Sequence, residues 1–303
     1  MNYSSGLTIV IPVRDRAHLV RRTLDSVAAQ TLRPLKVVLV DNSSSDGTRE
    51  VLENWAREVR AEDFNVTVVD EAAPGAAVAR NRGLQEVSTE WTMFFDSDDT
   101  MMPQHCSRAM KYSRDADIVG WDVRYHDLKG RVSVKPFYDS DMQYHSLMHG
   151  SMATQRYMAR TALFIKAGKW NESMRGWDDI ELGSRLLALN PRVRRIEGAP
   201  VVDVWATADS ITGKTYSTRV DQYLRALAAI EDNIGGESGR IFADFKRALL
   251  AADCRREGVR CYDHILGNRL PYYGLKKRCL LRLAYIYRIA GGRGAARLFR
   301  PLL

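Results

Sequence analysis

The stretch Trp91-Thr-Met-Phe-Phe-Asp96-Ser97-Asp98-Asp99 joins an apolar run to three carboxylates that stand within four residues. The apolar run is typical of a strand that is buried on both faces of a parallel sheet. Pro103 follows where the next helix is expected to begin, because proline is tolerated in the first turn of a helix. Carboxylates at the end of one strand repel one another. The stretch therefore favours either a divalent cation, which prefers oxygen ligands, or a solvated acidic turn.

Short apolar runs and amphipathic segments alternate along the first part of the chain, and this alternation predicts a parallel sheet of βαβ units. In such a sheet, ligands bind beyond the carboxyl ends of the strands. Asp41 and Asp96 both follow predicted strands, so we expect them in one crevice. The predicted strands are residues 7–13, 35–40, 66–69 and 91–95, and the predicted helices are residues 17–30, 48–60 and a third that begins near Gly75.

The rest of the chain is less regular. Strands are predicted at residues 117–121 and 193–204, and helices at residues 161–169, 179–187 and 218–234. Residues 122–150 predict a hairpin and loops. Residues 234–239, Ile-Gly-Gly-Glu-Ser-Gly, predict a linker, with helical segments beyond it. We therefore expect an α/β domain at residues 1–234 and a basic helical region at residues 235–303.

The formal net charge is +8, and most of the excess belongs to the end of the chain. Residues 264–303 contain nine Lys or Arg and no Asp or Glu. The four cysteines show no Cys-x-x-Cys pair, so we expect free thiols in a reducing cytoplasm rather than a zinc site or a disulfide framework. Residues 7–13 read as a strand and not as a signal peptide, and no apolar run is long enough to predict a transmembrane helix.

Four motifs occur in order along the chain: TIVIPV at residues 8–13, VDNSSSDGT at 40–48, FDSDD at 95–99, and GWDDIEL at 176–182. Each motif alone is short enough to occur by chance, but the ordered set resembles the inverting glycosyltransferases of family 2. The match covers roughly residues 7–215. The resemblance implies an α/β GT-A fold, which is a Rossmann-like, mostly parallel central sheet flanked by helices, here with a C-terminal helical appendage.

The resemblance also implies where a nucleotide-sugar donor would bind. Asp41 stands where the family has a carboxylate that contacts the base and ribose, and Arg80 where it often has a basic residue near the base and phosphates. Asp98 is expected to contact the ribose hydroxyls, and Asp96 to support the neighbouring carboxylates. The remaining donor-side residues are Pro12, Val13 and Arg14, of which Pro12 also fixes the backbone at the strand end.

By the same resemblance, Asp99 coordinates Mn2+ or Mg2+. This ion bridges the donor phosphates and neutralises the charge of the departing nucleoside diphosphate. The family often carries a His beyond the catalytic base that completes the metal shell. Residues 204–212, Val-Trp-Ala-Thr-Ala-Asp-Ser-Ile-Thr, contain no His. The third protein ligand is therefore open, with Asp209 or water as its substitute.

On the acceptor side, Asp179 aligns with the catalytic aspartate of the family, which takes the proton of the acceptor hydroxyl. Asp178 stands where a Glu is more usual, either as an acceptor contact or as a charge that raises the proton affinity of its neighbour. Trp177 either stacks on a sugar ring or packs in the core. Glu181 and Arg185 are spaced for an ion pair along one helix.

Residues 272–291 mix basic, aliphatic and aromatic side chains without acids, which suits a helix on an anionic membrane surface. The alternatives are a helical appendage packed on the catalytic domain and a segment that forms a homodimer. Binding to RNA fits the charge, but no nucleic-acid module is visible, so no nucleic-acid partner is expected. The expected location is cytoplasmic, with a peripheral position at the inner face of the membrane if the tail contacts lipid.

The leading hypothesis is a metal-dependent, inverting glycosyltransferase that uses a UDP-sugar and a glycan or lipid-linked acceptor, as is typical of surface polysaccharide synthesis. One alternative is a nucleotidyltransferase-like enzyme, which usually brings a glycine-rich, Lys-bearing phosphate loop that this chain lacks. The other is a non-catalytic protein that binds a nucleotide or sugar. The acidic pair at residues 178–179 argues against it, because binding a donor requires no acceptor-side base.

Overall fold

A computed structural model describes residues 3–207 and 216–303 of the chain. The chain divides into two compact units, each assembled from three segments. The first unit comprises Met1–Met142, Ser151–Glu172 and Leu189–Ala208, and the second comprises Gln143–Gly150, Ser173–Ala188 and Asp209–Leu303. The expected division into a catalytic domain at residues 1–234 and a basic helical region at residues 235–303 stays a prediction.

Within the described residues, the strands lie in the first unit. In chain order they are β1 (Ser4–Val13), β2 (Leu35–Asp41), β3 (Phe64–Asp70), β4 (Thr89–Phe94), β5 (Thr100–Met101), β6 (Ile118–Gly120), β7 (Val123–His126), β8 (Val132–Lys135), β9 (Tyr157–Arg160), β10 (Val193–Arg195) and β11 (Val202–Trp205). A seven-stranded sheet has the order β10-β6-β9-β4-β1-β2-β3, and a four-stranded sheet has the order β5-β11-β7-β8.

The helices complete both units. In chain order they are α1 (Val20–Ala28), α2 (Thr48–Glu58), α3 (Ala76–Gln85), α4 (His105–Lys111), α5 (Met142–His149), α6 (Thr161–Lys166), α7 (Asp178–Ala188), α8 (Val220–Ile234), α9 (Gly236–Arg256), α10 (Leu275–Ile289) and α11 (Ala295–Phe299). The helices of the second unit are α5, apart from its first residue, and α7 to α11. Among the described residues, no helix is both long and apolar enough to cross a membrane.

β1 lies between β4 and β2 and is parallel to both. Its residues Leu7–Ile11 are all buried. On one face, Ile9 packs in the same core as Leu24 of α1. On the other face, Val10 lies against Gly83 of α3. The order of strands and helices from β1 to β4 confirms the βαβ prediction. The pattern could be read from the sequence because a strand covered on both faces has a continuous apolar run.

Two elements, β9 and α5, differ from the sequence prediction. β9 runs antiparallel between β4 and β6, so the sheet is mixed on that side. The range 122–150 contains the predicted hairpin, β7 and β8, but also α5. Hydrophobic periodicity does not mark α5, because its buried residues include the polar His145 and Ser146.

The predicted linker at residues 234–239 is wrong. Only Gly235 separates α8 from α9, and α9 begins at Gly236. A Cβ atom on Gly239 would lie 2.7 Å from the backbone oxygen of Glu231. The glycine therefore permits two helices to approach closely, and the composition that resembles a flexible linker belongs to a tight helical corner.

A buried polar network ties the helices of the second unit together. The Asp244 carboxylate is fully buried, and it accepts hydrogen bonds from Arg247 (2.6 Å), Arg269 (2.9 Å) and the Tyr273 hydroxyl (2.7 Å). Glu231 of α8 pairs with the same two arginines. The network links α8 and α9 to the chain that leads into α10.

Candidate active site

The three predicted carboxylates follow β4 in a tight turn. The Phe95 N–H still donates to the Val10 carbonyl of β1 (2.9 Å), so the chain leaves the sheet only at Asp96. Four residues further on, Thr100 and Met101 form β5 and pair with β11 of the smaller sheet. The acidic turn is therefore held at both ends, by one sheet on each side.

Both oxygens of Asp96 accept hydrogen bonds from protein groups. Arg80 donates to Oδ1 at 2.9 Å, and the side-chain amide of Gln155 donates to Oδ2. Arg80 is buried, and its guanidinium lies 4.4 Å from the centre of the Trp170 ring. These contacts leave Asp96 as an anchored member of the acidic turn.

Asp99 is the most deeply buried of the three carboxylates, with 1% of its surface exposed. Its Oδ1 accepts a hydrogen bond from the backbone N–H of Trp205 (2.9 Å). Its Oδ2 is buried and accepts no hydrogen bond from any residue that the structure describes. Burial raises the pKa of Asp99 well above its ordinary value, and the neighbouring charges of Asp96 and Asp98 raise it further.

Asp98 lies between the other two carboxylates. Burial, and then the charge of Asp96, raise its pKa to about 6, while Arg16 and Arg22 act in the opposite direction. Arg22 also donates to the backbone carbonyl of Asp98 (2.7 Å), and so ties α1 to the acidic turn. The turn therefore concentrates negative charge that the protein compensates only in part.

Trp205 is held on two sides beside the acidic turn. The Arg22 guanidinium lies 4.6 Å from the centre of its ring, and the His126 ring stacks on it at 3.9 Å between centroids. His126 Nε2 is in turn 2.6 Å from Asp203 Oδ1. These contacts fix the backbone N–H that Trp205 donates to Asp99. His126 therefore positions Trp205 through the stacked ring, and Asp203 orients His126 through its Nε2.

Asp41 ends β2, and its partner across the parallel ladder is Val13 of β1. It is 6% exposed. One oxygen accepts the Ser44 N–H at 3.4 Å, and the other is buried without a hydrogen bond from the described residues. Asp41 and Asp96 are separated by β1, which is two strand spacings or about 10 Å. They therefore share the carboxyl edge of the sheet, as we expected.

The other donor-side predictions lie around the end of β1. Pro12 pairs with Val40, and both Pro12 and Val13 belong to the buried strand. Arg14 is exposed, and its Nε is 3.6 Å from Asp15 Oδ2. The contacts of Arg14 in the structure are thus with its chain neighbour and not with the acidic turn.

The described groups near the acidic turn could hold a metal ion only together with a ligand. Within residues 3–207 and 216–303, no three His, Cys, Asp or Glu side chains form a metal-binding group. An ion held by one carboxylate and the phosphates of a nucleotide requires no such group. Asp99 fits this arrangement, since a buried carboxylate oxygen without a donor is stabilised by a cation. The proposed substitute ligand, Asp209, lies outside the described residues.

The acceptor-side predictions all fall in the second unit. α7 begins at Asp178, so Asp178 and Asp179 occupy its first turn, and Asp179 Oδ1 accepts the Ile180 N–H (2.8 Å). Carboxylates at this position are stabilised as anions by the helix dipole. Glu181 is buried and forms two hydrogen bonds of 2.7 Å with Arg185, which confirms the predicted ion pair.

Trp177 precedes α7 in a left-handed backbone conformation, with φ of 54°. Its ring centroid is 4.6 Å from that of Tyr223, and Lys246 Nζ lies 5.0 Å from the ring centre. The ring is partly exposed. The packing interpretation of Trp177 therefore has a physical basis in the structure, and stacking on a sugar stays a prediction.

Four residues around the acidic turn were not predicted from the sequence: Arg22, His126, Gln155 and Trp205. The first three lie on other elements, far from the FDSDD motif along the chain, so local spacing contains no signal for them. Trp205 lies in the stretch 204–212, which the sequence singles out only for its lack of His. The contact that matters there is a backbone N–H, which no side-chain pattern reports.

Residues 8–163 of the 303 match the sequence model of the family described as Glycosyl transferase family 2. The chain belongs to this family. The succinoglycan biosynthesis protein ExoW of Rhizobium meliloti is 34% identical over 130 residues, which cover 40% of each protein. The chain spans a third or less of the length of three further curated relatives.

Two solved structures share the fold of this family 2 chain. Residues 1–349 of S. aureus TarS, in complex with UDP-GlcNAc, align with a TM-score of 0.65 and 17% identity, over 98% of this chain and 92% of that one. The mannosyltransferase PcManGT of Pyrobaculum calidifontis, in complex with GDP-Man and Mn2+, aligns with a TM-score of 0.59 and 18% identity, over 98% and 87%. The GT-A fold expected from the sequence is confirmed.

Proposed function

We propose that this protein is a metal-dependent, inverting glycosyltransferase that moves a sugar from a UDP-sugar to a hydroxyl group of a glycan or lipid-linked acceptor. The observation that carries the proposal is the buried Oδ2 of Asp99, which lacks a hydrogen bond from the described residues. An ionised carboxylate in this state costs stability, so its presence at the carboxyl edge of the sheet favours a role in binding.

The donor half of the proposal rests on the first unit. Asp41 and Asp98 would contact the nucleoside, and Arg80 would hold Asp96 beside the phosphates. Asp99 would hold Mn2+ or Mg2+, and such an ion, when bound, stabilises the negative charge of a nucleoside diphosphate. The two solved structures of the same fold contain UDP-GlcNAc in one case and GDP-Man with Mn2+ in the other, which supports a nucleotide-sugar donor here.

The acceptor half rests on α7. Asp179 would accept the proton of the acceptor hydroxyl as the hydroxyl oxygen forms a bond to C1 of the donor sugar. The bond between C1 and the diphosphate oxygen breaks on the opposite face, and its electron pair leaves with the nucleoside diphosphate. One displacement inverts the configuration at C1. Asp178 and Trp177 would contact the acceptor, and the likeness to ExoW supports a role in polysaccharide synthesis.

Calorimetric binding of UDP, GDP and dTDP, each with and without Mn2+, tests the donor half. We expect one nucleotide to bind in a metal-dependent manner, and Asp99→Asn to weaken this binding at least tenfold. The same substitution leaves thermal stability unchanged or raises it, because an ionised carboxylate at this buried position is unfavourable.

Asp122→Asn is the matched control in the same unit. Asp122 is also buried, but its oxygens accept hydrogen bonds from the Phe137 N–H (2.8 Å) and from Arg195 (2.7 Å). Its substitution should lower stability by about 2 kcal/mol and leave nucleotide affinity unchanged. Absence of nucleotide binding under every condition would contradict the proposal and favour a non-catalytic scaffold. Release of pyrophosphate instead of a nucleoside diphosphate would identify a nucleotidyltransferase.

A further inference from the structure

Helix α10 has two apolar faces, and only one of them is buried. Leu280, Leu281 and Ala284 face the core of the second unit. On the other side, Leu275 is 78% exposed, Leu283 55% and Ile286 58%, and Cys279 is exposed as well. We refer to Leu275, Cys279, Leu283 and Ile286 as the outer face of α10.

The outer face forms a continuous stripe along the helix. Leu275 and Ile286 are eleven residues apart, which is about three helical turns, so their side chains leave the helix in nearly the same direction. Cys279 lies between them on that line, and Leu283 lies beside it. An apolar stripe of this length on a surface helix usually marks an interaction site, because scattered apolar residues would not repeat at helical spacing.

Cations flank the outer face and are not neutralised. Lys276 and Arg282 are exposed on α10, and neither pairs with an acidic side chain that the structure describes, although Arg282 hydrogen-bonds to Tyr262. By contrast, Lys277 pairs with Glu237 and Arg288 pairs with Asp253 on the inner side. Lys276 and Arg282, which have no acidic partner among the described residues, thus lie on the same side of α10 as its exposed apolar side chains. The same composition continues at α11, where Arg297 and Leu298 are both exposed.

We infer that the outer face of α10 binds an anionic lipid surface, with Leu275, Leu283 and Ile286 entering the interface and Lys276 and Arg282 contacting the lipid headgroups. An interfacial helix combines an apolar stripe with cations at its borders, and anionic lipids attract each cation. The inference rests on this surface alone and does not depend on the catalytic role of the protein.

A second copy of the chain is a less suitable occupant. A two-fold dimer would place the outer face against itself, and would bring Lys276 and Arg282 of one copy close to those of the other. Like charges facing each other across an interface are unfavourable, and charged residues are depleted at interface cores. A lipid surface supplies both the apolar phase and the opposite charge.

Cys279 offers a direct probe of this surface, because it is exposed on the outer face whereas Cys106, Cys254 and Cys261 are buried. The full chain, labelled at Cys279 with an environment-sensitive fluorophore, is mixed with vesicles of phosphatidylcholine alone or of phosphatidylcholine with an equal part of phosphatidylglycerol. We expect a blue shift and co-sedimentation only with the anionic vesicles, and a decrease of both as salt is added.

Two pairs of substitutions separate the contributions to binding. Leu283→Gln with Ile286→Gln removes apolar side chains, and Lys276→Gln with Arg282→Gln removes charge. Each pair should lower the vesicle partition coefficient at least tenfold, since one cation near an anionic surface is worth about fivefold. All four side chains are exposed, so circular dichroism and thermal stability should not change.

Matched controls are Leu128→Gln, which alters a leucine 70% exposed in the first unit, and Lys277→Gln, which alters a paired cation of α10. Neither should reduce vesicle binding by more than about twofold. Failure to bind anionic vesicles, or an equal loss in the controls, would overturn the inference. A dimer in sedimentation velocity without lipid, dissociated by the Leu283 and Ile286 pair, would instead identify a second copy as the partner.

Discussion

Asp178 and Asp179 are adjacent acids at the start of α7, yet the proposed mechanism assigns them different roles. Consecutive side chains in the first turn of a helix point about 100° apart, so one hydroxyl group cannot contact both in the same way. The positive end of the helix dipole lies at this first turn, and a general base must be ionised. The direction in which each side chain points, rather than its charge, therefore decides which of them accepts the proton.

The prediction at this scale is that Asp179→Asn lowers the turnover number by about 10²–10⁴ while nucleotide affinity stays within twofold. Asp178→Asn should have a smaller effect on turnover and a larger one on the KM of the acceptor. Steady-state kinetics of both variants, with calorimetry of the donor nucleotide, provide the comparison. Equal turnover of Asp179→Asn and wild type would exclude Asp179 as the base.

At the scale of elements, α3 is held unusually close to the central sheet. Gly83 faces β1 and β2, and a Cβ atom there would lie 2.4 Å from Val10 Cγ1 and 3.0 Å from Val40 Cγ2. Arg80 stands one turn earlier on the same helix and reaches Asp96. The approach of α3 to the sheet thus places Arg80 beside Asp96, and glycine is the residue that permits it.

Gly83→Ala should therefore destabilise the protein by about 1–2 kcal/mol. Overpacking costs more than the gain in helix propensity from alanine. Denaturant unfolding measures this loss. Nucleotide affinity should fall as well, because the displaced helix carries Arg80. Gly274→Ala is the control, since a Cβ atom on Gly274 would meet no described atom within 4 Å and its φ is −64°. An equal loss of unfolding free energy in the two variants would show that Gly83 is not required for the close packing of α3.

At the scale of the whole molecule, we expect Lys246 to make the free energy of unfolding depend on pH. Burial lowers the pKa of Lys246 to about 8, from an ordinary value of 10.5; Asp253 raises it and Arg288 lowers it. Between these two pKa values the unfolded chain binds more protons than the folded protein. The contribution of Lys246 to the free energy of unfolding therefore rises with pH across this window, and below pH 8 its unfavourable effect is complete.

Lys246→Met removes this dependence. At pH 7 the free energy of unfolding of the variant should exceed that of wild type by at most about 3 kcal/mol. This excess should decrease steadily as the pH rises to 10.5 and disappear there. Denaturant unfolding of both proteins at a series of pH values measures it. Two curves that stay parallel from pH 7 to pH 10.5 would show that Lys246 titrates normally in the folded protein.

The family and the central part of the fold could be predicted from the sequence, because they depend on local patterns. Continuous apolar runs marked β1, β2 and β4, since strands covered on both faces leave no polar position. Polar residues after those runs marked the edge of the sheet where Asp41 and Asp96 lie. The roles assigned to the site residues stay predictions, because motif order reports likeness and not contact.

Only the tertiary structure decided which residues surround those carboxylates. Arg22, Gln155 and Trp205 reach the acidic turn from three different elements, and contacts between distant segments leave no periodic signal in a sequence. The same holds for Gly239, whose role is visible only where α9 meets the end of α8. It holds for α10 too: its composition showed an amphipathic, basic helix, but packing determined which apolar face is buried and which remains exposed.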